Sequence, residues 1–502
     1  MAKMAATARA ISRSEGENRE SAKRALAGLM ADARGVPMKI GQFLASRAGN
    51  EAFSDLVTGI PARPLEEMLP ELERQLGRPA SEVFSSIDES VAAASLGQVH
   101  HAELLDGTEV AVKIRYPDIE DAVDAELRLA GMLPGVGPVK KWGFDIGGYQ
   151  SMMKDNMDRE LDYRSEAERQ KRFRESVKVP GLVVPRVYTE FCAKGVLVQS
   201  WESGMPLESA ANWPPEARRA TAEILMKTLF TSMFVTGEVH CDPHLGNLFV
   251  RKSASGAPEI VLLDFGCMTK VEPRERLALL KLILGCQNND ETDPLACFVE
   301  MGFSLPKLQA IADILPALSR ILFEPFLRDE PFSTKYWNVV SRTSATLGEL
   351  RWWFRSAGPP GLFLLMRAFS GMVAHLESLQ IIVSWSTMLK EAVGDVALRE
   401  ARAFAPAPVP AAVTRTATSF ANMANYLKVR VTENGRQTVQ VSLPVGQTSE
   451  LEDLIPDDVL DAIRASKIDL EVIARNACES GLIPQELFVL ENGAKRYRVW
   501  LE

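Results

Sequence analysis

His240-Cys-Asp242-Pro-His-Leu-Gly-Asn247, followed seventeen residues later by Asp264-Phe265-Gly266, is the stretch on which the fold of this chain turns. An Asp with an Asn five residues on, ahead of the apolar run Leu248–Arg251, is a spacing that phosphoryl transfer uses. The carboxylate accepts or orients a hydroxyl proton, and the amide holds a metal. An Asp leaving the buried strand pattern Ile260–Leu263 just before a Gly is placed to ligate a Mg²⁺ that bridges phosphates. Either tripeptide alone is a weak signal. Both in this order, each beside its expected strand, make a strong one.

Upstream, Val110-Ala-Val-Lys113 puts an ammonium among apolar strand neighbours, which is costly unless it meets an anion. Phosphates and a helix carboxylate supply one, and Glu166 is the candidate carboxylate. It follows Glu160 and Asp162 on a predicted helix over Tyr149–Arg174. Their offsets of two, four and six residues keep all three off one narrow face, so at least two should point inward; a solvated charged helix is the plainer alternative. Before the lysine strand lies Ala92-Ala93-Ala94-Ser95-Leu-Gly97-Gln98, a small-residue turn whose amides can approach phosphate. Ala takes positive φ less readily than Gly, so the nucleotide pose should differ from that under a glycine-rich loop, and a tight hairpin of packing residues is the alternative.

The 502 residues predict about three structural units, and a composition of 46% hydrophobic and 25% charged residues is that of an ordinary globular protein. A net charge of −9 supplies no global field for nucleic acid, so no nucleic-acid partner is expected. The six cysteines include no Cys-x-x-Cys pair, which argues against a zinc site or disulfide framework and for a reducing compartment. The N-terminus has no apolar core of a secretory signal, and the most apolar stretch, 362–389, is broken by Arg367, His375 and Glu377. A cytoplasmic protein is expected, with any membrane contact peripheral and at the inner face.

The pattern predicts an α+β fold. It divides into a helical extension over 1–90, a sheet lobe over 91–205 opening near the Asp106-Gly107 turn, and a helical lobe over 206–403. An Ala/Pro-rich linker over 404–421 then leads to a small α+β module over 422–502, with hairpin turns at Asn434-Gly435 and Asn492-Gly493. Interaction with a protein partner is the expected role of that module, a stabilising appendage the alternative. Trp352-Trp353-Phe354 is read as core of the helical lobe in preference to a lipid-facing edge.

Lys39-Ile-Gly-Gln42, the Ala-rich turn, Val-Ala-Val-Lys113, Glu160-x-Asp162 with Glu166, His240-x-Asp242-Pro-His-x-Gly-Asn247 and Asp264-Phe-Gly together closely resemble the UbiB/AarF (ADCK/Coq8) family of atypical kinases, over about residues 20–400. The resemblance implies a two-lobed protein-kinase-like fold with an N-terminal helical extension lying over the active site. It implies ATP and Mg²⁺ as cofactors, and ATPase or phosphotransferase activity serving ubiquinone or other isoprenoid-lipid metabolism, with a prenyl-lipid or quinone precursor as partner. Lys113 and Glu166 would position phosphates, Asp264 and Asn247 would hold Mg²⁺, and Asp242 would be the catalytic aspartate. Lys39, Gln42, Glu160 and Asp162 would form the family's gate, and residues 92–95 with Gly97 and Gln98 would cradle the nucleotide. Ser200 stands where an acidic hinge residue is frequent, and Leu245 replaces a second Pro in the catalytic loop. The rival readings are a small-molecule kinase similar to aminoglycoside or choline phosphotransferases, and a nucleotide-binding pseudokinase scaffold.

Overall fold

The computed structural model describes residues 62–93, 96–117, 119, 143–409, 423–452, 454–480 and 482–502. Lys39, Gln42, Ala94, Ser95, the helices predicted over 38–47 and 119–132, and the later part of the linker lie outside these residues, Ile119 aside.

Helix α1 (Leu65–Leu76) ends at Gly77, whose φ of +69° closes the helix in the left-handed conformation that glycine takes at low cost. β1 (Phe84–Ala93), β2 (Gly97–Leu104) and β3 (Glu109–Arg115) form antiparallel neighbours. β1 corrects the sequence reading, which placed residues up to 90 in the helical extension. Its pattern Phe-Ser-Ser-Ile-Asp-Glu-Ser-Val is polar and half-exposed, and its ladder to β2 carries register shifts that blur the two-residue alternation. The Asp106-Gly107 turn joins β2 to β3 as expected, with Gly107 at φ +83°.

The helix predicted over 149–174 is two helices, α2 (Ile146–Glu160) and α3 (Tyr163–Ser176). Asp162 explains the break: its carboxylate accepts hydrogen bonds from the Arg164 and Ser165 amides and so caps α3. After the two-residue β4 (Leu182–Val183), β5 (Val196–Ser200) returns beside β3 and completes the four-stranded sheet in the order β1-β2-β3-β5. Met68 and Leu72 of α1 and Met157 and Leu161 at the end of α2 share one apolar core with Val110, Val112, Ile114, Val196 and Val198.

The second lobe begins with β6 (Met205–Pro206) and α4 (Pro215–Phe230), which runs into a π-helical turn over Thr231–Thr236. β7 (Glu238–His240), β8 (Leu248–Lys252), β9 (Pro258–Leu262) and β10 (Met268–Lys270) follow, pairing as β7 with β10 and as a sheet in the order β4-β9-β8-β6. Helices α5 (Pro273–Asn288), α6 (Leu315–Leu322), α7 (Leu362–Ser378) and α8 (Trp385–Ala403), with further helices between them, make the rest helical, as the apolar periodicity predicts. Phe354 packs edge-on against Phe298 at 5.6 Å and stacks on Phe303, whereas half-buried Trp352 sits between the guanidinium groups of Arg351 and Arg355.

The last eighty residues form β11 (Tyr426–Glu433), β12 (Arg436–Pro444), α9 (Asp457–Ala465), α10 (Leu470–Glu479), β13 (Gln485–Asn492) and β14 (Lys495–Leu501), in the strand order β12-β11-β14-β13. Both Asn-Gly pairs turn hairpins, with Asn434 and Gly435 at φ +51° and +78°. The apolar side of this unit, including Leu427, Ile463 and Val499, continues into Leu282, Leu295 and Leu315 of the helical lobe as one buried cluster. The sequence reading gave the unit its own place beyond a stiff linker; its core is shared.

The helical lobe converges on Trp385, which is fully buried against Phe326, Phe369 and Trp337 at ring distances of 5.6, 5.4 and 6.0 Å. Trp385→Ala should lower unfolding free energy by about 3–5 kcal/mol in urea titrations. Tyr336→Ala, at a 68% exposed ring, should stay within about 0.5 kcal/mol.

Candidate active site

α3 carries the centre of the site. Its capped first turn places Glu166 on the face turned to β3, where Lys113 donates to Glu166 Oε1 and Oε2 at 3.0 and 3.1 Å. The same ammonium donates to Asp264 Oδ2 at 3.2 Å and lies 4.7 Å from the centre of the Tyr163 ring. Burial disfavours the Lys113 charge, but Asp264 and Glu166 outweigh it and hold its pKa well above the ordinary lysine value. Lys113 therefore stays charged at neutral pH, with Glu166 fully buried and the Asp264 side chain one-third exposed.

Successive turns of α3 also hold the Asp264-Phe265-Gly266 segment. Glu166 accepts from the Phe265 amide at 3.3 Å, and Arg169 donates to the Phe265 carbonyl at 3.1 Å. Phe173 meets the fully buried Phe265 ring at 5.2 Å. Asp264 itself sits at φ +56°, its Oδ1 accepting from the Gly266 amide at 3.0 Å, while His240 Nε2 donates to its carbonyl at 2.7 Å. A non-glycine residue at positive φ held by this many partners is backbone set to aim a carboxylate.

In the loop after β7, Asn247 Nδ2 donates to Asp242 Oδ2 at 2.9 Å, and the Asn247 carbonyl accepts from the Leu263 amide at 2.8 Å, tying this loop to the end of β9. Arg367 of α7 donates to Asp242 Oδ1 as a buried ion pair. Sequence reasoning used Arg367 and His375 only as interruptions of an apolar run. Both belong to the site: His375 Nε2 donates to the Pro243 carbonyl at 2.9 Å, and a Cβ on Gly371 would come within 2.1 Å of Pro243 Cγ. Residues 367, 371 and 375 are four apart and share one helix face, so α7 is the floor of the catalytic loop. That spacing was the available signal.

Several expected ligands have other duties. Glu160, buried at the end of α2, accepts from Asn156 at 3.4 Å and borders Gly266. Asp162 is the cap described above. The Gln98 side chain is fully buried, with Oε1 accepting from the Arg63 amide and Nε2 donating to the Arg63 carbonyl, so any part of Gln98 in holding phosphate would fall to its backbone. Gly97 is required by packing, since a Cβ there would lie 2.4 Å from the Ile114 carbonyl and 2.7 Å from the Tyr163 hydroxyl. Ala92 and Ala93 pair with Val99 and Gln98 at the end of β1.

The donors present fit a hard divalent cation held jointly with phosphate. Asn247 spends its Nδ2 on Asp242, which turns its amide oxygen to other use, and Asp264 contributes carboxylate oxygens at a part-exposed position. Among the described residues no group of three or more His, Cys, Asp or Glu side chains could hold a metal ion unaided. One carboxylate and one amide leave most of an octahedral shell to water and phosphate oxygens, which is how Mg²⁺ is usually bound.

Residues 55–296 match the ABC1 atypical kinase-like domain. The chain is 30% identical over 327 residues to an ABC1 family protein of Schizosaccharomyces pombe, covering 62% of this chain and 59% of that one. It is 24% identical to the atypical kinase coq-8, mitochondrial, of Caenorhabditis elegans, over 71% of this chain and 49% of that one. With the probable protein kinase UbiB of Marinobacter nauticus it shares 26% identity over 59% of this chain and 57% of that one. The chain thus spans between about half and three fifths of these relatives' length. Among solved structures, the Rv3197–erythromycin complex from Mycobacterium tuberculosis superposes with a TM-score of 0.50 at 24% identity, over 72% of this chain and 88% of that one, a likeness of fold. The fold is kinase-like.

Arg367 and Asp242 sit in a largely dehydrated pair, so removing one partner strands the other charge. Arg367→Met should destabilise the chain by about 3–5 kcal/mol in urea titrations. Adding Asp242→Asn to Arg367→Met should recover part of that loss, a coupling that independent sites would not show.

Proposed function

We propose that the ABC1 domain binds Mg-ATP between its lobes and turns it over, as an ATPase or phosphotransferase serving prenyl-lipid or quinone metabolism. The observation that carries this reading is that Lys113 lies within 3.2 Å of both Glu166 and Asp264, while Asp242 and Asn247 pair in the loop that is hydrogen-bonded to Leu263. Lys113 would meet the phosphates, Glu166 would keep it aimed, and Asp264 with Asn247 would hold Mg²⁺. The bound metal would neutralise charge on the phosphates.

Asp242 has an Arg367 guanidinium on one oxygen and the Asn247 amide on the other. A carboxylate with both oxygens engaged in this way is fixed in place, and its part would be to orient a hydroxyl or water. That is enough where the transition state is loose and catalysis is mostly positioning. The isoprenoid-lipid setting rests on the resemblance to the UbiB/Coq8 group and on the names coq-8 and UbiB among the relatives. Contact with a membrane would be peripheral, since no helix among the described residues is long and apolar enough to cross one.

With ATP labelled on the γ-phosphate, release of free phosphate in the absence of any acceptor is expected, and Asp242→Asn should lower it at least about 100-fold. Label appearing only on an added aminoglycoside or choline would move the reading to a small-molecule kinase. Nucleotide binding with no turnover would move it to a pseudokinase scaffold.

A further inference from the structure

Gln199 of β5 stands on the same side of the first sheet as Lys113. In the antiparallel ladder it pairs with Ala111, as Leu197 pairs with Lys113, so these four side chains share one face. Val110, Val112, Val196 and Val198 alternate with them and turn into the core on the other face. The Gln199 amide has a fixed orientation. The Pro185 carbonyl can only accept, so the Gln170 atom 3.0 Å from it is Nε2, and that nitrogen also donates to Gln199 at 2.6 Å. The Gln199 atom that meets it is therefore Oε1. Gln170 is fully buried on α3, one turn beyond Glu166. Gln199 itself is half-buried, and its Nε2 is open to solvent with no hydrogen-bond partner among the described residues.

The ladder also sets the direction in which a nucleotide would lie. Gly97 pairs with Arg115, so the small-residue turn that would cover the phosphates is at that end of the β2–β3 ladder. Ala111 and Gln199 lie the other way from Lys113, two residues or roughly 7 Å along the strand. Past them the chain crosses to the second lobe through residues 201–204. There Glu202 accepts from the Ser200 hydroxyl and from Arg251, both at 2.9 Å, which fastens the crossing to β8. A nucleotide with its phosphates on Lys113 puts its base at this closed end, a flat ring against the small Ala111 side chain and one edge on Gln199.

We propose that Gln199 reads the base and makes this an adenine site. Adenine presents N7 as an acceptor beside an N6 amino donor, whereas guanine presents N7 and O6, both acceptors. Gln199 Nε2 donates to N7. Its Oε1 keeps a lone pair beyond the one that Gln170 uses, and accepts from the N6 amino group. With guanine the second bond is lost and two oxygens face one another. A freely turning glutamine could offer its two groups in either order; Gln170 removes that choice, so Gln199 determines specificity and Gln170 is its positioning residue. The inference rests on the nucleotide reading proposed above and adds the base to it.

The test is calorimetric titration of the full chain with Mg-ADP, Mg-GDP and the Mg complex of 7-deaza-ADP, which lacks the N7 acceptor. Mg-ADP should bind at least about tenfold more tightly than Mg-GDP and about fivefold more tightly than the 7-deaza analogue. Gln199→Leu should bring the three affinities together, and Gln170→Leu should narrow the gap between ADP and GDP. Mg-pyrophosphate should bind the intact chain and both variants alike, which shows that the phosphate end is undisturbed. The 7-deaza comparison needs no variant and serves if neither substitution folds. Equal binding of ADP and GDP, equal binding of ADP and 7-deaza-ADP, or a preference that either variant leaves unchanged overturns the proposal while the nucleotide site stands. No binding of any of the three nucleotides overturns the nucleotide reading and this proposal together.

Discussion

The Lys113–Glu166 ion pair is the contact on which the arrangement of this molecule depends. It joins a strand of the first lobe to α3, and α3 in turn grips the Asp264-Phe265-Gly266 segment of the second lobe through Glu166, Arg169 and Phe173. A buried lysine and a buried glutamate are each expensive alone, and Asp264 adds a second anion that favours the Lys113 charge while it repels that of Glu166. An ammonium held between two carboxylates is fixed in direction, and on the proposed reading that direction would decide where a phosphate sits. The short Asp162 cap is part of the same device, because it starts α3 at the residue that brings Glu166 onto β3.

The second constraint lies under the catalytic loop. α7 presents Arg367, Gly371 and His375 along one face, and each meets a different part of Asp242-Pro243. The glycine is there because Pro243 occupies the volume of a side chain. Charge, shape and hydrogen bonding therefore locate Asp242 from outside its own loop, and the loop needs little regular structure of its own.

Much of this was legible in the sequence. Lys113, Asp242, Asn247 and Asp264 were visible because each carries a polar group beside an apolar strand pattern, and Glu166 as a helix carboxylate able to meet Lys113; the structure joins Lys113 to Glu166 and Asp264, and Asn247 to Asp242. The hairpins of the C-terminal unit were visible because Asn-Gly between two strand patterns suits a tight turn, with Asn434, Gly435 and Gly493 at positive φ. What escaped was set by tertiary contact. β1 reads as a polar segment because one side faces solvent and its ladder slips. Asp162 reads as one more helix acid until the break that it caps is seen. Gln98 looks like a polar group in a phosphate turn, yet Arg63, distant in sequence, takes its hydrogen bonds. Arg367 lies more than a hundred residues from Asp242, and no local pattern links the two.

The central claim is that Lys113, Glu166 and Asp264 form one metal–nucleotide site. The most direct measurement is the unfolding midpoint of the full chain with and without Mg-ADP, beside Glu166→Gln and Asp264→Asn. A ligand at 100 times its dissociation constant should add about 2.7 kcal/mol to the intact chain, and each variant should lose most of that gain. An equal gain in all three proteins would place the nucleotide elsewhere and contradict the account.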